Sequence, residues 1–178
     1  NSRFNEGNFG GYAGLNKSWG YSHIIFSRFN QKIGMVEGDR DDATGRFLLF
    51  TGSPLERIAT TADLDERSLF VPYQHIKHTR LVSDNNFAIH QSRLKINLAY
   101  QNNQRKEYGN PEDVAEEELF FDLKTFNYNI QWQLPEIKEW HTSFGVNGMQ
   151  QSNRNRADEV LIPEYNLFDA GVFVYAQR

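Results

Sequence analysis

The sequence predicts an all-β chain: an antiparallel up-and-down segment of a transmembrane β-barrel, with short turns at one end and long loops at the other. Three observations carry this. From Phe126 to Leu134 the even positions are Phe126, Tyr128, Ile130, Trp132 and Leu134, and the odd ones are Asn127, Asn129, Gln131 and Gln133. This period of two gives a strand one apolar and one amide-rich face. After a short turn, Pro135 to Glu139, the return strand sets Trp140, Thr142, Phe144 and Val146 against His141, Ser143, Gly145 and Asn147. Two Trp residues thus flank one tight turn, and such rings collect at membrane–water interfaces because they join an apolar body to a hydrogen-bonding tip. The third observation is compositional. Aromatics make up 14% of the chain, with 14 Phe and 8 Tyr, although mean hydropathy is −0.67. A soluble sandwich draws its core mainly from Val, Ile and Leu, whereas barrel strands are apolar toward lipid and polar toward the lumen.

Several classes are excluded or disfavoured by the same data. At 178 residues the chain is long enough for one domain with a sizeable core. It contains no run of ~18 apolar residues and therefore no transmembrane helix. A net charge of −4 is too small to point to nucleic acid, and the absence of cysteine excludes disulfides, thiolate metal sites and a Cys nucleophile. The opening NSRFNEGNFGG has no basic segment followed by an apolar core, so an exported protein is expected to be represented in mature or truncated form. Arg178 directly follows the strand pattern FDAGVFVYAQ, and both ends read as cut.

Taken in order, Phe9 to Lys17 is a Gly-rich strand and Trp19-Gly20 a turn. Tyr21 to Ile33 is a second strand, with Tyr21, His23, Ile25, Ser27, Phe29, Gln31 and Ile33 in one phase. Ile24 and Phe26 make its other phase partly apolar, which leaves its facing open. The alternation stops from Gly34 to about Val71. There Glu37 to Gly45 reads as a solvated loop, and Pro54 to Arg67 as a short helix with Leu55, Ile58 and Ala59 on one face. Tyr73 to Ser83 is extended, and Asp84-Asn85-Asn86 is a turn signal. In Ser92 to Gln101, Leu94, Ile96, Leu98 and Tyr100 alternate with Arg93, Lys95 and Asn97. The following NNQRKEYG is polar on both faces and leaves the apolar layer, and Gly109 to Glu118 is an acidic connection. Leu119 to Leu134 changes phase between Leu123 and Phe126, which reads as a β-bulge or twist. Trp140 to Gln151 and Asn166 to Gln177 complete about seven strands. Seven cannot close an outer-membrane barrel, which uses an even number from eight upward.

Motifs for other chemistry are weak. His75 and His78 are three apart, so on a strand they point to opposite faces, and His23, His90 and His141 add no metal-ligand spacing. Asp39, Asp41 and Asp42 resemble the start of a calcium loop, but Ala43, Thr44 and Phe50 stand where its ligands and glycine belong. No G-x-S-x-G elbow is present. Asp122, Glu136 and Glu139 are placed at strand ends and turns, and the glycines at Gly7, Gly10, Gly11 and Gly14 do not form G-x-G-x-x-G. The expectation is a chain with no catalytic, cofactor or metal residues. Lumen-facing positions are expected at Arg93, Lys95, Asn97, Asn127, Asn129 and Gln131, and membrane-interface aromatics at Trp19, Tyr21, Trp132 and Trp140.

The stretches VPYQHIKHTRL, RLKINLAYQNNQRKEYG, LKTFNYNIQW, TSFGVNGMQQSN and LIPEYNLFDAGVF, in this order, resemble the middle of the barrel of TonB-dependent outer-membrane receptors, particularly those of Bacteroidetes-type bacteria. The resemblance covers Phe9 to Gln177. It implies that residues 1–178 are part of a barrel of about 22 strands, without its plug domain, its TonB-contacting segment or the aromatic residue that ends the last strand. It further implies the bacterial outer membrane as location, outer-membrane lipid as surroundings, and energised import of a scarce nutrient such as an iron–siderophore complex, haem, cobalamin, a glycan or a peptide. TonB would be met through the N-terminal part that this stretch lacks; nucleic acid is not an expected partner. Two alternatives stand beside it: a soluble β-sandwich or lectin-like binding module with Phe126, Ile130 and Trp132 in a closed core, and an enzymatic outer-membrane barrel.

Overall fold

A computed structural model describes residues 3–35, 39–50 and 56–178. Its main feature is one antiparallel sheet of seven long strands: β1 (Phe4–Lys17), β2 (Gly20–Gly34), β5 (Tyr73–Ile89), β6 (Ser92–Tyr108), β7 (Leu119–Gln133), β8 (His141–Asn155) and β9 (Tyr165–Gln177). The sheet order is β1-β2-β5-β6-β7-β8-β9, so each long strand lies beside the one that follows it. Between β2 and β5 come the two-stranded hairpin β3 (Leu48–Phe50) and β4 (Glu56–Ile58) and the helix α1 (Thr61–Asp65).

The β1–β2, β5–β6 and β7–β8 connections are short and share one end of the sheet, since Gly20 pairs with Phe87 and Arg93 with Gln133. The longer connections, from β2 to β5, β6 to β7 and β8 to β9, share the other end. At the turn end Gly20 has φ 126°, and a Cβ there would lie 1.8 Å from the Asn86 carbonyl oxygen. Only glycine fits both demands.

Each long strand touches only its immediate neighbours among the described elements, and no second layer of described strands or helices packs on either face. The buried apolar residues are few: Ala59, Val71, Leu119 and Phe121, all toward the loop end or in the β2–β5 connection. β1 and β9 pair on one side only, so the sheet is open among the described residues. The all-β, up-and-down architecture of seven long strands agrees with the sequence pattern.

Four expectations are corrected. Asp84, Asn85 and Asn86 are not a turn; they lie inside β5, opposite Asn97, Ile96 and Lys95. The turn falls at His90-Gln91, with His90 at φ 55°. No bulge interrupts β7: pairing with β6 runs unbroken from Glu107–Leu119 to Arg93–Gln133, and pairing with β8 is equally continuous. The helix expected from Pro54 is confined to Thr61–Asp65, and Ile58 ends β4 instead of sharing a helical face; Pro54 and Leu55 lie outside the described residues. Finally, β1 begins at Phe4, five residues before the expected start.

The β2–β5 connection is a folded cap. Thr60 and Asp63 form a capping box at α1, with the Asp63 carboxylate accepting from the Thr60 amide and hydroxyl at 2.8 and 2.6 Å. Arg57 of β4 donates two hydrogen bonds to the same carboxylate, at 2.7 and 2.6 Å. These hydrogen bonds, Arg57 first and Thr60 second, hold the Asp63 carboxyl well below its ordinary value of 3.8. Of the expected solvated loop, residues 39–45 are described. Asp41 accepts from the Thr44 amide and hydroxyl and closes its own turn, and Arg40 lies 3.9 Å from the Phe47 ring centroid.

Candidate functional site

Strand register turns the alternating residues into rows that cross the sheet. On one face, the belt face, successive rows read Leu15–Ser22–Asn85–Ile96–Ile130–Val146–Val172, then Ala13–Ile24–Ser83–Leu98–Tyr128–Gly148–Ala170, then Gly11–Phe26–Leu81–Tyr100–Phe126–Gln150–Phe168. The row nearest the turns contains Phe87, Leu94, Trp132, Phe144 and Val174. On β6 and β7 this apolar belt runs from Leu94 to Tyr100 and from Phe126 to Trp132. Each stretch is seven residues, or ~23 Å, close to the ~25 Å apolar band of outer-membrane barrels. Among the described residues nothing covers the belt: Phe144 is 47% exposed, Val172 85% and Val174 78%. Tyr128, Ile130 and Trp132 are half-exposed and enclosed by nothing but their strand neighbours.

The opposite side, the amide face, brings together all six expected polar positions. Arg93 pairs with Gln133, Lys95 with Gln131, Asn97 with Asn129 and Ala99 with Asn127. One row reads Asp84–Asn97–Asn129–Asn147, and Asn97 donates to the Asp84 carboxylate at 3.2 Å. Gln131 donates to the Ser143 hydroxyl at 2.9 Å, and Gln151 to the Thr125 hydroxyl at 2.9 Å. Arg80, Asn97, Asn127, Asn129 and Asp169 border a shallow depression of ≈ 530 Å³ on this side. Carboxamides both donate and accept, so such a wall exchanges hydrogen bonds with polar solutes of either charge.

The four aromatics expected at an interface divide. Trp132 stands in the turn-end row of the belt, Trp19 and Trp140 lie in the adjoining turns, and Trp19 stacks on Phe87 with centroids 5.6 Å apart. Tyr21 belongs to the amide face, where it stacks on His23 at 4.5 Å. Its phase on β2, which the sequence left open, puts it opposite the belt.

Two glycines shape the β8 strand. Tyr128 lies over Gly148, where a Cβ would be 2.3 Å from its hydroxyl, and that hydroxyl donates to the Asp169 carbonyl at 3.3 Å. Phe173 covers Gly145 on the other face. The belt's polar break is also built: Asn85, 9% exposed, accepts from Ser22 at 2.5 Å and donates to the Ser83 hydroxyl at 2.8 Å and the Ile96 carbonyl at 3.1 Å.

Sequence reasoning missed Asp122. It is not a solvated strand end: it is 2% exposed within β7, and accepts from Asn102 at 2.7 Å, Gln104 at 3.3 Å and Arg156 at 2.8 Å. Those partners come from β6 and from beyond β8, so only the register reveals them. Glu136 and Glu139 do lie in the β7–β8 turn, and His75 and His78 do point to opposite faces. Among the described residues, no three His, Asp or Glu side chains converge as a metal site would require. Comparison with protein-family models yields no match, and no curated protein or solved structure matches the chain either.

Proposed function

We propose that the chain forms part of the barrel wall of a bacterial outer-membrane active-transport receptor, energised through TonB, that imports a scarce nutrient such as an iron–siderophore complex, cobalamin or a glycan. One observation carries the reading: an uncovered apolar belt backs onto a hydrogen-bonding amide face in a single layer of sheet. In this reading the belt meets hydrocarbon and the amide face lines the lumen. Strand lengths support it. The long strands have 13 to 17 residues, more than the ~9–11 that cross a bilayer. On the belt face the surplus turns polar toward the loop end. The open edges of β1 and β9 are filled by further strands of the receptor, as closure of a membrane sheet demands. No catalytic step is assigned. A sandwich would need a second sheet over Phe126, Ile130 and Trp132, and none of the described strands lies there.

The test is quenching of a single-Trp form, Trp19→Phe/Trp140→Phe, folded into phospholipid vesicles. Trp132 is expected to be quenched by bromine-labelled lipid and shielded from aqueous iodide. A detergent-free, monodisperse monomer with Trp132 shielded from both quenchers would overturn the membrane reading.

A further inference from the structure

Immediately toward the loop end from the belt, the same face becomes cationic. The row beyond Phe26–Leu81–Tyr100 contains Arg28, Thr79, Asn102 and Lys124; the next contains Asn30, Lys77 and Gln104; the third contains Lys32, His75 and Lys106. Lys77 pairs with Asn30 and Gln104, which makes Arg28, Lys32 and Lys106 its diagonal neighbours, at ~7–8 Å between Cα atoms. His75 sits among Lys32, Lys77 and Lys106, and its Nε2 is 2.8 Å from the Asn30 side-chain oxygen. Five permanent cations, Arg28, Lys32, Lys77, Lys106 and Lys124, therefore share these rows in a chain whose net charge is −4.

The patch is not neutralised from within. Among the described residues two of these cations have a carboxylate partner: Lys124 has Asp122, and Lys106 has Glu117, which also accepts from the Tyr108 hydroxyl. Arg28, Lys32 and Lys77 have no ion pair among the described residues. Asp122, two strands from Lys77, is occupied by Arg156, Lys124 and two carboxamides. Uncompensated like charges on neighbouring strands repel, and a bound anion relieves that cost. The second observation is continuity. The patch borders the apolar belt directly, so its complement carries anionic oxygens and hydrocarbon together.

We propose that Arg28, Lys32, Lys77 and Lys106 bind the phosphate of an anionic lipid headgroup in the leaflet on the loop side, with its acyl chains against Phe26, Leu81 and Tyr100. The proposal rests on the membrane reading given under Proposed function. In it, the lysines and the arginine neutralise headgroup phosphate while their stems continue the apolar surface.

The experiment folds the full chain into zwitterionic detergent micelles and measures co-retention of labelled phosphatidylglycerol against labelled phosphatidylcholine. The wild type is expected to favour the anionic lipid. Lys77→Gln is expected to lower that retention ~5-fold, and Arg28→Gln/Lys77→Gln ~25-fold. Lys77→Arg should restore it, and Lys138→Gln, in the β7–β8 turn, should leave it unchanged. Far-UV circular dichroism verifies the sheet in each variant. No preference in the wild type, an equal loss in Lys138→Gln, or complete displacement of the lipid by millimolar inorganic phosphate would overturn the proposal while leaving the membrane reading intact. A chain that enters no micelle or vesicle of any composition would sink both.

Discussion

The turn-end and loop-end halves of the sheet share strands, register and backbone hydrogen bonds, yet they distribute side chains in opposite ways. At the turn end β7 shows Phe126, Tyr128, Ile130 and Trp132 on the belt face and Asn127, Asn129, Gln131 and Gln133 on the amide face. At the loop end the same strand shows Asp122 and Lys124, beside Phe120, on the belt face and Leu119, Phe121 and Leu123 on the other. β2 and β5 follow suit, with Lys32 and Lys77 on the belt face and Ile33 and Ile76 opposite. The exchange takes place between Lys124 and Phe126, without a bulge. The backbone pairing is unchanged there; what changes is which face carries the buried side chains, since Leu119 and Phe121 are 1% and 7% exposed.

The strongest way to break this comparison is to remove a buried ring at the loop end. Phe121 is 7% exposed, and Phe121→Ala is expected to cost about 3–5 kcal/mol in chemical unfolding monitored by circular dichroism. A loss below about 1 kcal/mol would show that the loop end is not a packed interior. The next largest effect separates the two faces of the turn end. Ile130→Lys is expected to cost about 2–4 kcal/mol in unfolding from phospholipid vesicles. Asn129→Lys, one residue away on the amide face, should stay within about 0.5 kcal/mol. Equal costs would remove the distinction between the faces.

Much of the turn-end half was legible in the sequence because each strand there keeps one kind of side chain on each face, so a period of two survives intact. Leu94 to Tyr100 and Phe126 to Trp132 were readable for that reason. The misreadings have a common cause. Asp84-Asn85-Asn86 carries strong turn chemistry, but the Asn85 amide is used by Ser83 on its own strand and by Ser22 and the Ile96 carbonyl, partners that only register supplies. The exchange of faces in β7 mimicked a bulge because alternation cannot tell an inserted residue from a changed environment. The cation patch was invisible because Arg28, Lys77 and Lys106 come from three strands. The face of Tyr21 was left open because both phases of β2 are partly apolar.

Asn85 offers a sharper, smaller test within the turn end. Asn85→Ala leaves the Ser22 and Ser83 hydroxyls without their shared partner inside the belt, and is expected to cost about 1–3 kcal/mol. The triple change Ser22→Ala/Ser83→Ala/Asn85→Val removes all three polar side chains together. It should recover most of that loss in the same vesicle unfolding measurement. A triple variant worse than Asn85→Ala would mean that the polar break is held for something other than mutual satisfaction.

The smallest effect concerns the cap, and it should touch only the loop side. Folding lowers the Asp63 carboxyl below its ordinary value of 3.8, chiefly through the two hydrogen bonds from Arg57 and then through Thr60. The closed cap therefore binds the proton less readily than the open one. Its stabilisation is complete well above 3.8 and is lost progressively as pH falls through that value toward the folded pKa. Hydrogen exchange at Leu64 and Glu66, whose amides donate to Thr60 and Ala62 carbonyls, reports on α1 directly. Protection there should be constant from pH 7 to about 5 once intrinsic exchange is corrected, and should decline at lower pH. Asp63→Asn should show the weakened protection already at pH 7 and lose the acid dependence. The amides of Ile96 and Ile130, in the belt, should not respond to either change. A parallel loss of protection in the belt would mean that the two halves of the sheet open together, and the cap would then be part of the sheet's own cooperative unit.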